Sequence, residues 1–138
     1  MTKEILDILD EEGIKATFFV TSGGEYVKRA YNSGHTIALH TSSHKYSYVY
    51  SNEENYFNDS VYNSIGIRCK FIRFPGGSSN TISRNYNKGI MSRLVNAVTN
   101  KGYVYFDWNV DSNDAGGDGN NSNKIYNNVI NGLSHNKT

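Results

Sequence analysis

The sequence predicts an α/β fold built on a parallel sheet, and three observations carry that expectation. Short apolar runs rich in β-formers alternate with amphipathic helical stretches. Glycines stand where the helices should stop. The polar motifs follow directly on the predicted strands, where open sheets and β/α barrels place their chemistry. Alternation at this spacing implies right-handed crossovers, in a doubly wound sheet or in part of a β/α barrel.

Ile5, Leu6, Ile8 and Leu9 recur at helical spacing with the acids on the other face, so residues 2–12 read as a helix stopped at Gly13. Ala16-Thr17-Phe18-Phe19-Val20 is an apolar run closed by Ser22-Gly23-Gly24, and it reads as a strand buried on both faces. Glu25 to Asn32 reads as a short helix with Gly34 as its stop, followed by the strand Thr36-Ile37-Ala38-Leu39. Residues 52–65 read as a helix, Lys70 to Arg73 as a strand, and 88–100 as a helix running up to Gly102. Tyr103 to Val110 reads as a strand or strand pair. Residues 112–123, with Gly116, Gly117, Gly119 and four Asn, form a loop, and 124–133 a last helix.

The 138 residues suit one domain, and 14 Lys+Arg against 13 Asp+Glu leave a net charge of +1 with no basic run. A nucleic-acid partner is not expected. The single cysteine, Cys69, forms no internal disulfide, so it leaves the redox compartment open. No stretch approaches a membrane span, and Lys3, Glu4, Asp7, Asp10, Glu11 and Glu12 crowd the region where a signal peptide would need an uninterrupted apolar run. The chain as written is therefore expected to be soluble and cytoplasmic. At 37% hydrophobic with 11 Tyr, it is also expected to draw much of its buried area from tyrosine.

His40-Thr41-Ser42-Ser43-His44 follows the strand ending at Leu39, and two imidazoles four residues apart on a helical turn would point the same way, close enough to share a zinc-like ion. Such pairs also arise by chance, and two nitrogens alone make a poor site. Arg73-Phe74-Pro75-Gly76-Gly77-Ser78 sets a guanidinium at a strand end with a tight turn after it, although Arg-x-Pro-Gly is most often simply a turn. Asp107, Trp108, Asp111 and Asp114 crowd the end of the next predicted strand, where solvated loop acids are the ordinary reading.

Together these segments are more specific than apart. Gly13 to Val20, Gly34 to His44, Arg73 to Asn80 and Trp108 to Asp114, in this order and spacing, make the chain resemble the polysaccharide deacetylases with a NodB homology domain over nearly its whole length. The resemblance implies a distorted (β/α) barrel that removes acetyl groups from chitin-like or peptidoglycan N-acetylglucosamine. It also implies a divalent metal, zinc most of all, held by one Asp and two His, with a second Asp as base and a His as acid. His40 and His44 match the metal histidines, and Arg73 matches the arginine that orients the catalytic Asp. Pro75, Gly76 and Gly77, with Trp108 and Asp111, match the border of the substrate groove. Asp114 matches the acid that holds the catalytic His, with Ala115 where a Trp commonly follows.

The family's opening strand ends in Thr-Phe-Asp-Asp-Gly and its closing strand in Leu-x-His. The 138 residues contain neither in place: Leu133-Ser134-His135 matches the second as letters but reads as a helix end. The expected fold is accordingly an incomplete barrel lacking its first and last strands, a single partial domain over 1–138. It should hold metal weakly and have impaired activity. Its open seam favours self-association. The family is usually secreted or envelope-associated, and its partner is an acetylated glycan. A second reading is a catalytically inactive carbohydrate-binding module, with Trp108, Tyr46, Tyr48 and Tyr50 available to stack on sugar rings.

Overall fold

A computed structural model describes residues 2–59 and 66–135, and the chain divides into two compact units, Met1–Phe106 and Asp107–Thr138. The first is an alternating α/β layer structure. Helix α1 (Thr2–Glu11) leads to β1 (Thr17–Val20), α2 (Glu25–Asn32) and β2 (Thr36–Leu39). Two short helices follow, α3 (Tyr46–Val49) and α4 (Glu53–Asn58), then β3 (Phe71–Ile72), a 3-10 turn (Ile82–Asn85), α5 (Ile90–Asn100) and β4 (Val104–Tyr105). The predicted continuation of the helix at 52–58 through 60–65 lies outside the described residues. The sheet is parallel throughout in the order β1-β2-β3-β4, with Phe18 opposite Ile37, Leu39 opposite Ile72, and Phe71 opposite Val104.

One local device ends three of the helices. Glycines 13, 34 and 102 take φ of 67°, 82° and 83°, a left-handed conformation that costs a residue without Cβ little. The next residue's N–H then reaches back into the helix, Ile14 to the Leu9 carbonyl, His35 to Ala30 and Tyr103 to Val98, each at 3.0 Å. The chain thereby leaves each helix already turned toward the following strand.

Strand alternation sorts the sheet into two faces. Phe18, Val20, Ile37, Leu39 and Ile72 face the helices and join a core of Leu6, Ala30, Val49, Tyr50, Tyr56, Phe74, Ile90, Leu94 and Val98. Burial pushes the Cys69 thiol up, which makes it a core residue and not a nucleophile. Outside the core, Arg29 clamps α1 to α2 by reaching Asp7 and Asp10, both at 2.7 Å, and Arg93 of α5 pairs with Glu53 of α4. On the opposite sheet face stand Thr17, Phe19, Phe71 and Phe106, with the Phe71 and Phe106 rings edge to face at 5.4 Å.

Two expectations are corrected here, and a third holds in part. β1 is half-buried, not buried on both faces, because it is an edge strand paired on one side, with β2. The strand expected over Tyr103 to Val110 is two residues long, since its partner β3 offers only Phe71 and Ile72 for pairing. Tyrosine supplies part of the core, with Tyr50 and Tyr56 buried and Tyr46, Tyr103 and Tyr105 packed against that core, while Tyr26, Tyr31, Tyr48, Tyr86 and Tyr126 are exposed.

The second unit holds the loop from Asp107 and helix α6 (Ser122–His135), which begins two residues earlier and ends two later than expected. Ile125, Asn128, Val129 and Gly132 form its half-buried side. Gly132 permits the close approach of Val110, whose Cγ1 would lie 2.7 Å from a Cβ at that position. No described helix is long and apolar enough to cross a membrane.

Candidate functional site

β2 delivers His40 to the carboxyl end of the sheet, its N–H continuing the ladder to the Val20 carbonyl at 3.0 Å. The segment that follows is not the expected helical turn. Thr41 and His44 take φ of 58° and 52°, so the chain bends through an irregular loop between the two imidazoles. Left-handed backbone at two non-glycine residues, one of them β-branched, costs on the order of 1–3 kcal/mol each and persists only where surroundings dictate it. Here the surroundings are Asp59, at the end of α4. Its Oδ2 accepts hydrogen bonds from Ser42 N at 3.1 Å and from Ser43 N and Oγ, both at 3.0 Å.

The loop nonetheless brings the imidazoles together, with ring centroids 4.9 Å apart. His40 Nδ1 donates to the Arg73 carbonyl at 2.8 Å, which sets its tautomer and leaves the lone pair on Nε2. Burial, the largest cause, holds the His40 imidazole below its ordinary pKa; the bond to the Arg73 carbonyl opposes this, and the charges of His44 and Arg73 add to it. The neutral form favoured in this way is the one that binds a metal. The donor set is chemically suited to a zinc-like ion but small: among the described residues no group of three or more His, Cys, Asp or Glu gathers around one point.

Arg73 leaves β3 beside this pair. Its Nε donates to the Phe106 carbonyl at 3.2 Å and its guanidinium lies 4.1 Å above the Phe19 ring, on the sheet face away from the helices. The turn after it is tightly built. Phe74 and Pro75 are fully buried, so Pro75 offers no side-chain surface to a ligand, and its carbonyl accepts from Tyr50 Oη at 2.5 Å. Gly76 is exposed at φ 74°, with Tyr46 Oη 2.8 Å from where a Cβ would stand, whereas Gly77 is buried. His44, Tyr46 and Tyr50 form a row of rings 5.6 Å apart at each step, which links the histidine loop to that turn. Of the tyrosines considered for stacking, Tyr50 is excluded by burial and Tyr48 is exposed.

The remaining candidates lie in the second unit. Trp108 is 46% exposed. Asp111 accepts from Asn113 N at 2.8 Å, and Asp114 accepts from Ser112 Oγ at 2.5 Å, so both carboxylates are tied into their own loop. Sequence reasoning overlooked Asp118, which organises that loop against α6. It accepts from Asn113 Nδ2 at 2.9 Å and Asn128 Nδ2 at 3.3 Å and pairs with Lys124 at 3.2 Å; these bonds, Asn113 first, hold its carboxyl below the usual range. It also overlooked Asp59, which no spacing rule ties to the histidines. His135 closes α6 with Nδ1 bonded to the Asn131 carbonyl at 2.7 Å, a helix-end residue as expected.

Residues 1–95 match the family model for polysaccharide deacetylase. A peptidoglycan-N-acetylglucosamine deacetylase of Bacillus cereus is 32% identical over 124 residues, 82% of this chain and 42% of that protein. The chain thus spans about two fifths of the length of the curated relatives it matches. Among solved structures, the catalytic domain of peptidoglycan N-acetylglucosamine deacetylase from Eubacterium rectale superposes with a TM-score of 0.88 at 41% identity, covering 97% of this chain and 66% of that one. A polysaccharide deacetylase from Bacillus cereus superposes at 0.72 with 28% identity, over 95% of this chain and 66% of that one. The four parallel strands correspond to part of the distorted β/α barrel of these catalytic domains.

Proposed function

The chain belongs to the polysaccharide deacetylase family, and from that premise we propose that it serves a hydrolase removing acetyl groups from N-acetylglucosamine-containing polysaccharide, peptidoglycan or chitin-like. On this reading all 138 residues are part of one deacetylase domain, His40 and His44 hold a divalent, zinc-like ion, and the enzyme works at the cell envelope where such glycans lie. The observation that supports it best is the paired imidazoles, with His40 Nδ1 committed to the Arg73 carbonyl and its Nε2 left to ligate. When bound, such an ion polarises an acetyl carbonyl and its attacking water.

The chain's own residues have distinct tasks in this scheme. The Arg73 carbonyl fixes the His40 ring, and burial keeps that ring neutral and ready to bind. On this reading the Arg73 guanidinium orients a carboxylate acting as base, a task suited to its planar fork of donors. The exposed Gly76 backbone is a polar edge that a glycan can meet, and Trp108, in the second unit, is by itself an aromatic face able to stack on a sugar ring. Asp111 and Asp114 shape the loop that carries Trp108.

The test is acetate release from N-acetylglucosamine oligomers. The 138-residue polypeptide is expected near background, since a positioned base and acid each contribute about 10²–10⁴ in rate. A protein extended by a preceding strand ending in Thr-Phe-Asp-Asp-Gly and a following strand ending in Leu-x-His should release acetate, and His40→Ala or His44→Ala should abolish it. A folded, extended protein that is inert on every acetylated glycan but still binds them would replace this reading with a carbohydrate-binding module.

A further inference from the structure

The loop between His40 and His44 adopts a conformation that its own sequence does not favour, yet the closeness of the two rings depends on it. Two of the three residues between the imidazoles are tied to one side chain. Asp59 Oδ2 takes Ser42 N, Ser43 N and Ser43 Oγ, and the Asp59 carbonyl also takes Ser42 N at 2.6 Å. Ser43 Oγ in turn accepts from Lys45 N at 3.1 Å, which carries the constraint past His44. A carboxylate that gathers several donors makes charge-assisted bonds, stronger than neutral ones.

Asp59 is itself held. It caps the end of α4 with its N–H on the Asn55 carbonyl at 3.0 Å. That helix is capped at its start by Asn52 Oδ1 on Asn55 N, anchored in the core by Tyr56 and joined to α5 through Glu53 and Arg93. We propose that Asp59 is the positioning residue of the histidine pair: it transmits the rigidity of α4 to the loop, so that the two imidazoles meet before any ion arrives. This rests on the reading of His40 and His44 as metal ligands. Asp59 is not assigned as a third ligand, because the oxygen facing the loop already accepts three donors and no three-ligand cluster forms among the described residues.

The 138-residue chain allows a test with and without metal. In the metal-free protein, ring protons of His40 and His44 should give a mutual nuclear Overhauser effect, as centroids 4.9 Å apart require. Asp59→Ala should abolish it and Asp59→Asn should weaken it, while resonances of the core around Leu94 and Phe74 stay in place. Titration with zinc, or with cobalt read from its visible absorption, should show affinity reduced about tenfold or more in Asp59→Ala, the range seen when residues behind a ligand are removed. A folded Asp59→Ala protein that keeps the ring contact overturns the proposal, as does unchanged metal affinity. If the wild-type rings touch but no ion binds, the metal reading fails, and the positioning role is decided by the ring contact alone. Should Asp59→Ala not fold, Ser43→Ala removes one of the three donors; a weakened ring contact supports the proposal, and an unchanged one overturns it.

Discussion

Replacing Tyr50 by Phe removes one oxygen atom from the protein's interior and should cost about 1–2 kcal/mol, within the range for a buried acceptor that loses its donor. Tyr50 is fully buried and its hydroxyl donates to the Pro75 carbonyl at 2.5 Å. Asn80 Nδ2 also reaches that carbonyl, but at 3.5 Å, the outer limit of a hydrogen bond, so the substitution removes the much shorter of these two bonds beside the buried Phe74. Phe fills the same space, so no cavity adds to the penalty, and relief from burying the phenol oxygen offsets part of it. For a chain of this size the loss corresponds to a fall of roughly 3–8 °C in Tm. Urea unfolding monitored by circular dichroism should show a lower midpoint at unchanged m-value. A Tyr50→Phe protein within about 0.3 kcal/mol of wild type, well under the usual net value of such a bond, would refute the idea that this bond ties α3 to the Arg73 turn.

Gly76→Ala should destabilise by about 1–2 kcal/mol, because alanine resists φ of 74° and its Cβ would displace the Tyr46 hydroxyl. Gly117→Ala, where nothing stands within 4 Å, is the control and should stay within ~0.5 kcal/mol. Metal-free protein should lose stability as pH falls below about 6.5, since the unfolded imidazole protonates there while burial holds folded His40 below that value. Tm against pH should therefore fall more steeply for wild type than for His40→Gln between roughly pH 7 and 5, and identical slopes would sink this assignment. Light scattering against concentration should show self-association of the 138-residue chain, with the Phe19, Phe71 and Phe106 rings clustered on one sheet face and Phe106 itself 44% exposed. Phe106→Ser should reduce it, and a strictly monomeric wild type would contradict it.

What the sequence determined by itself is the local order of the fold. Apolar runs such as Thr17 to Val20 and Thr36 to Leu39, separated by helices stopped at Gly34 and its counterparts, are short-range patterns, and a glycine in the left-handed region acts within a single turn. The placing of His40 and Arg73 at strand ends was legible for the same reason. Other features depend on partners far along the chain. The length of β4 is set by what β3 can pair with, and the half-burial of β1 by its position at the sheet edge. The sequence left Tyr50 open between stacking on a sugar and packing in the core, and its bond to the Pro75 carbonyl within the core decided it. The histidine spacing suggested a helical turn, but Asp59, fifteen or more residues away, makes hydrogen bonds strong enough to hold Thr41 and His44 in backbone conformations that no local preference selects.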